Sequence, residues 1–147
     1  MLSEPTQIAT DLDVQPTLAA LRYRQTWGWL PGQTHDWNRM QMQVDPTDDA
    51  VAPLLHGLLP EGVELRTNMV QVKILYPFGV LPPHSDPGRV ALHVVLMTND
   101  QALFTVGGGK WWHMPQATAW VVPIHRMHSA MNNGRTPRIH LVAEWYE

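Results

Sequence analysis

His84-Ser85-Asp86 sets an imidazole and a carboxylate at positions i and i+2. In an extended segment the two side chains leave the same face of the backbone a few ångströms apart, near enough to grip one cation. Alone the pair carries little weight. Eight histidines and thirteen acidic residues give roughly 0.7 such pairs by chance in a chain of this length, and an ordinary polar turn reads the same way. A third donor comes from His128-Ser129-Ala130, after the apolar run Trp120 to Ile124. Two imidazoles and one carboxylate on one face, with coordination positions left open, form the donor set of non-haem ferrous oxygen chemistry. Arg138 follows in the run Thr136-Pro137-Arg138-Ile139-His140-Leu141-Val142. The Asn133-Gly134 turn between them predicts a hairpin that carries Arg138 to the strand beside His128. A guanidinium is a planar fork for a carboxylate, and burying one without an acidic neighbour is costly, so an oxoacid is a natural occupant. The competing reading is a solvated arginine, or one paired with Glu144.

Other residues compete for these roles. His125 lies three residues before His128 and is its rival as a ligand. Arg135 rivals Arg138, but it adjoins the turn glycine and is expected in solvent. His113, His125 and His140 alternate with apolar neighbours and are expected to point out of the sheet, while His35 and His56 precede the strands and read as exposed or capping residues. Ser85, Gln71 and Tyr76 are polar groups expected near the mouth of a site, each more often a surface or barrel-lining residue than a substrate contact.

Many short strands must position these groups. Thirteen prolines and ten glycines break helix interiors. From Val63 onward, Leu65 to Tyr76, Arg89 to Met97, Leu103 to Val106, Trp111 to Met114, Thr118 to Pro123, Met127 to Asn132 and Arg138 to Trp145 read as strands. Turn signals separate them at Pro82-Pro83, Asn99-Asp100, Gly107-Gly108-Gly109 and Asn132-Asn133-Gly134. That spacing predicts a mainly β chain folded as a double-stranded β-helix, a jelly-roll or cupin-like barrel of two facing sheets. Residues 1–62 are expected to be helical or irregular support for a barrel core over 63–147. Residues 1 to 16 read as a loose arm or an early edge strand, and Thr17 to Arg24 as a short helix. Trp27 to Met42, with Trp27, Trp29, Trp37 and a Pro31-Gly32 turn, reads as apolar packing. Asp45-Pro46 opens a helix running to about Leu59, which Pro53 kinks or truly starts.

Bulk properties narrow the function. With 147 residues, 44% hydrophobic, the chain can bury one core, and a single domain is expected. A net charge of -3 argues against a duplex nucleic-acid partner, which calls for a basic surplus. No cysteine is present, so thiolate metal sites and disulfides are excluded and a reducing, cytoplasmic setting is expected. Met1 to Asp13 is polar and acidic, unlike a leader. No run nears the roughly 18 apolar residues of a membrane span.

The C-terminal run His128-Ser129-Ala130-Met131-Asn132-Asn133, followed by Arg138-Ile139-His140-Leu141, resembles the aspartyl/asparaginyl β-hydroxylase-like branch of the iron and 2-oxoglutarate-dependent oxygenases, with kinship to cis-proline hydroxylases. The resemblance covers roughly Gln71 to Glu147. It implies that His84, Asp86 and His128 bind Fe(II), that Arg138 holds the distal carboxylate of 2-oxoglutarate, and that His93 sits beside that cosubstrate. It favours His128 over His125, because Ser-Ala-Met-Asn follows and Arg138 falls at the family interval. Asp86 departs from the β-hydroxylases proper, which lack this carboxylate; the proline hydroxylases retain it. His93 lies nearer the first ligands than in the β-hydroxylases. Arg89 resembles a substrate- or cosubstrate-contacting arginine, and Tyr76 is a second expected substrate contact. The implied activity is hydroxylation of a C–H bond in an amino acid or peptidyl residue, consuming O2 and 2-oxoglutarate and releasing succinate and CO2. Two other readings stand beside it: a non-catalytic or 2-oxoglutarate-independent metal-binding cupin-like module, and a metal cupin of different chemistry in which His93 or His125 joins the ligands. The substrate itself and the oligomeric state are not legible, since specificity in this fold comes from loops and the N-terminal half.

Overall fold

The computed structural model describes residues 2–23, 39–65 and 67–147. Trp27, Trp29, Trp37, His35 and the Pro31-Gly32 turn lie outside the described residues. Among the described residues ten strands form two antiparallel sheets: β1 Thr6–Ala9, β2 Arg39–Gln43, β3 Val70–Leu75, β4 Val80–His84, β5 Arg89–Met97, β6 Ala102–Val106, β7 Trp111–Trp112, β8 Ala119–Val122, β9 His128–Asn132 and β10 Arg138–Tyr146. The larger sheet has the order β1-β8-β5-β10-β3-β2 and the smaller β4-β9-β6-β7. This is the expected double-stranded β-helix, with both edge strands of the large sheet drawn from residues before 63.

Strand alternation explains the layering. Leu75, Ala91, Val95, Phe104, Val106, Val122, Ala130 and Val142 form one buried cluster, drawn from both sheets and filling the space between them. Val70, Val72, Leu92, Val94, Leu96, Leu141 and Ala143 form a second with Val14, Val51, Leu54 and Leu55 from the N-terminal segments. β5 and β10 are buried along almost their whole length. Each buried Val, Leu or Phe side chain among them contributes about 1.5–3 kcal/mol.

The first helix falls close to its expected span, and the second is far shorter than the sequence suggests. α1 spans Gln15–Tyr23 and α2 only Ala52–Leu55, with Pro53 in its first turn. Asp45 does not open a helix; its Oδ1 accepts from Thr47 N and Thr47 Oγ1, which holds a turn instead. Pro53 thus stands close to the true start, where a missing N–H is harmless.

Two expectations are corrected. Pro82-Pro83 is not a turn but part of β4, an edge strand whose pairing with β9 slips between Leu81 and His84. Prolines have no N–H for a ladder, so an irregular edge is where a strand tolerates them. Nor do β9 and β10 form a hairpin: β9 pairs with β4 and β6, and β10 with β3 and β5. The chain crosses from one sheet to the other between them, so Arg138 lies opposite Leu75 of β3 rather than beside His128. β2 was not expected as a strand.

Candidate metal centre

Antiparallel pairing sets His84 opposite His128, with ring centroids 4.3 Å apart. Asp86 lies just beyond β4, where its backbone N–H donates to Ile124 O at 2.9 Å and its carbonyl accepts from Arg89 N at 3.2 Å. The Asp86 Oδ2 atom stands 3.6 Å from His84 Nε2 and 3.4 Å from His128 Nε2. One ligand atom from each of the three residues falls within 4.8 Å of the others.

Hydrogen bonds fix which nitrogen each imidazole offers. His84 Nδ1 lies 2.8 Å from Pro82 O and His128 Nδ1 2.9 Å from Arg126 O. A carbonyl only accepts, so both Nδ1 atoms carry the proton and both Nε2 lone pairs face Asp86. Burial lowers the His128 pKa, a shift partly offset by the bond to Arg126, and keeps the ring in the neutral form a metal requires. His84 and Asp86 are more open, their side chains 41% and 28% exposed against 5% for His128. Phe104 stacks on the His128 ring at 6.0 Å. A cleft of about 490 Å³ opens beside the site, lined by Arg39, Gln41, Gln71 and Lys73 on one wall, by Leu81 to His84 on another, and by Asp86, Arg89 and Glu144.

Inside the barrel, Arg138, His140 and His93 form a buried chain. Arg138 Nη1 is 3.1 Å from His140 Nδ1, which is 2.9 Å from His93 Nδ1. A guanidinium only donates, so His140 Nδ1 is the acceptor and His93 Nδ1 carries the proton that completes the pair. Burial drives both imidazoles far below their ordinary pKa, and the Arg138 charge adds to the effect. Burial also pushes Arg138 down, to about 10. Arg138 is 6% exposed, its Nε has no hydrogen-bond partner, and no acidic group among the described residues pairs with it. Glu144, the alternative partner, instead meets Lys73 at 3.7 Å and Arg89 at 3.5 Å.

The expected residues therefore divide. His84, Asp86 and His128 converge; Arg138 and His93 are linked through His140 in the barrel interior; Arg89 lines the cleft and donates to Tyr146 Oη at 3.1 Å. Tyr76 lies just past β3 and outside the cleft lining, its hydroxyl pKa raised by partial burial. His125 and His93 stay out of the three-residue cluster. His140 contradicts the expectation that it points outward: it is 2% exposed. Lys73 was missed, and Glu144 was weighed only as a partner for Arg138. The alternation Gln71-Lys73-Leu75 against Val70-Val72-Ile74, and Arg138-His140-Val142-Glu144 against Ile139-Leu141-Ala143, is the signal that finds them.

Residues 19–147 match the family described as aspartyl/asparaginyl β-hydroxylase. No curated protein matches the chain by sequence. Among solved structures, a Pseudomonas putida prolyl-4-hydroxylase aligns with a TM-score of 0.64 at 17% identity, over 99% of this chain and 92% of that one. HygX from Streptomyces hygroscopicus, solved with nickel and 2-oxoglutarate, aligns with a TM-score of 0.67 at 8% identity, over 98% and 83%. The Schizosaccharomyces pombe Cnp3 cupin domain aligns with a TM-score of 0.54 at 11% identity, over 80% and 71%. At these identities the structural likeness speaks for the shared fold.

Proposed function

The chain belongs to the aspartyl/asparaginyl β-hydroxylase family, and from that premise we propose that it is an Fe(II)- and 2-oxoglutarate-dependent dioxygenase that hydroxylates a C–H bond of an amino acid or peptidyl residue. The observation that carries this reading is the convergence of two Nε2 lone pairs and one carboxylate oxygen. His84, Asp86 and His128 would hold the ferrous ion, leaving roughly half of its octahedral positions for a chelating keto acid and dioxygen. Bound together, iron and 2-oxoglutarate supply a two-electron oxidation in which O2 is consumed, one oxygen atom enters the C–H bond as hydroxyl, and 2-oxoglutarate leaves as succinate and CO2.

The buried residues fit that cosubstrate. Arg138 is a desolvated guanidinium with an unpartnered Nε and no acidic partner among the described residues, so a carboxylate would relieve it. His140 and His93 are held neutral beside it, so the guanidinium is the charge in this chain that a carboxylate would meet. Phe104 stacks over the buried His128 ring. Arg89 and Tyr76 are the substrate contacts expected from sequence; Arg89 is the one that lines the cleft. No helix among the described residues is long and apolar enough to cross a membrane.

The test is succinate formation from 2-oxoglutarate in air by the iron-loaded protein, with the Asp86→Ala variant beside it. The wild type is expected to form succinate and the variant to lose more than the roughly 10–100-fold that substitutions of the groups behind metal ligands cost. Bound iron with no succinate would move the reading to a metal-binding cupin-like module without turnover.

A further inference from the structure

The cleft beside the metal centre has hydrogen-bonding capacity outside the His84, Asp86, His128 cluster and Arg138. Strand alternation sends Gln71 and Lys73 of β3 into the same cleft wall. Lys73 Nζ stands 3.7 Å from Glu144 Oε1 and Arg89 Nη1 3.5 Å from Glu144 Oε2. Both distances exceed the roughly 2.7–2.9 Å of a charge-assisted hydrogen bond. One carboxylate shared between two cations leaves this group with a formal surplus of positive charge.

Gln71 supplies a second, independent observation. The residue is 8% exposed, it lines the cleft, and its Oε1 is buried without a hydrogen-bond partner. A stranded amide oxygen calls for a donor. The cosubstrate cannot provide one, because 2-oxoglutarate at neutral pH offers two carboxylates and a ketone, all acceptors. An N–H on another molecule that enters the cleft would supply one.

We propose that Gln71 and Lys73 form the recognition subsite for the primary substrate, and that the substrate brings a carboxylate next to an N–H, as amino-acid derivatives and peptides do. Lys73, with Arg89 behind it, receives the carboxylate, and Gln71 Oε1 accepts the N–H. Glu144 holds the two cations at the wall so that the substrate meets them in place. Neither residue touches the reacting atoms; both are specificity-determining. This inference rests on the oxygenase reading above.

Calorimetric titration of protein loaded with nickel, which stands in for iron without turnover, and with saturating 2-oxoglutarate tests it. The probes are N-acetyl amino acids with apolar, acidic and aromatic side chains, their carboxamides, and the matching O-acetyl 2-hydroxy acids, in which ester oxygen replaces N–H. At least one N-acetyl amino acid is expected to bind about tenfold or more tighter than both of its analogues. Lys73→Met should erase the preference for the carboxylate, Lys73→Arg should keep it, and Gln71→Leu should erase the preference for N–H over ester. Equal binding of acid and carboxamide by wild type would overturn the proposal. So would preferences that survive both Lys73→Met and Gln71→Leu, or no binding of any probe by protein that has taken up 2-oxoglutarate. Failure to take up 2-oxoglutarate is read in the loading titration itself and counts against the oxygenase reading instead.

Discussion

At the scale of single residues, the defining feature is a proton inventory fixed by hydrogen bonds. Two carbonyls set the tautomers of His84 and His128, and a guanidinium sets that of His140 and, through it, His93. The inner pair has a measurable consequence. His93 and His140 are held far below the ordinary value of 6.5 by burial. Below about pH 6.5 the unfolded chain therefore binds protons that the folded chain refuses. The stability this pair permits is complete above that pH and falls as pH drops, by about 1.4 kcal/mol per pH unit for each histidine. Urea unfolding midpoints taken from about pH 8 to pH 5 are expected to decline along that slope, and His93→Gln should flatten it by about one proton. An unchanged slope in the variant would mean that His93 charges freely in the folded state. His140 also marks a place where the sequence was legible and was misread: once Arg138 is taken to face inward, the period of two puts His140 inside with it.

At the scale of elements, local pattern located most strands but not the sheet to which each belongs. β5, β6, β8, β9 and β10 fall within a residue or two of their expected spans because β-branched and alternating runs are local signals. The crossing between β9 and β10 is not local. Asn133-Gly134 reads as a hairpin turn, yet the Asn132 side chain is committed elsewhere: Nδ2 donates to Leu75 O and Thr136 O, both at 2.9 Å, and Oδ1 accepts from Asn99 Nδ2 and Gly134 N. This fully buried amide ties β9 to the end of β3 in the other sheet. Asn132→Ala would strand several of these groups and is expected to cost about 2–4 kcal/mol, read by urea denaturation. The turn between β3 and β4 makes the opposite case. Gly79 N donates to Tyr76 O at 2.8 Å, Pro77 is the first central residue, and Phe78 takes the second with φ 64 while 67% exposed. Glycine suits that left-handed position, so Phe78→Gly should raise stability by about 0.5–1 kcal/mol. A loss of stability would mean that the Phe78 ring packs more than its exposure suggests.

At the scale of the whole molecule, the proposed site draws on both sheets. The smaller sheet contributes His84 and His128, the larger contributes Arg138, His93, Gln71 and Lys73, and Asp86 sits in the link between β4 and β5. Ligands held from both sides stabilise the folded state alone. Nickel and 2-oxoglutarate together are therefore expected to raise the melting temperature, with about 2.7 kcal/mol of stabilisation at a ligand concentration 100 times Kd. Neither ligand should shift the melt of a His128→Ala variant comparably. The jelly-roll architecture and the convergence of His84, Asp86 and His128 were legible because their signals are short motifs and periodicity. The recognition wall was not, because it assembles from β2, β3, β5 and β10, and only register brings those strands together. The most direct test of the account is an anaerobic titration of the iron-loaded protein with 2-oxoglutarate, following the weak visible charge-transfer band of a chelated keto acid in wild type and in Arg138→Ala. The account predicts a band in wild type and a midpoint raised about tenfold or more in the variant; no band at millimolar 2-oxoglutarate, with iron bound, would contradict it.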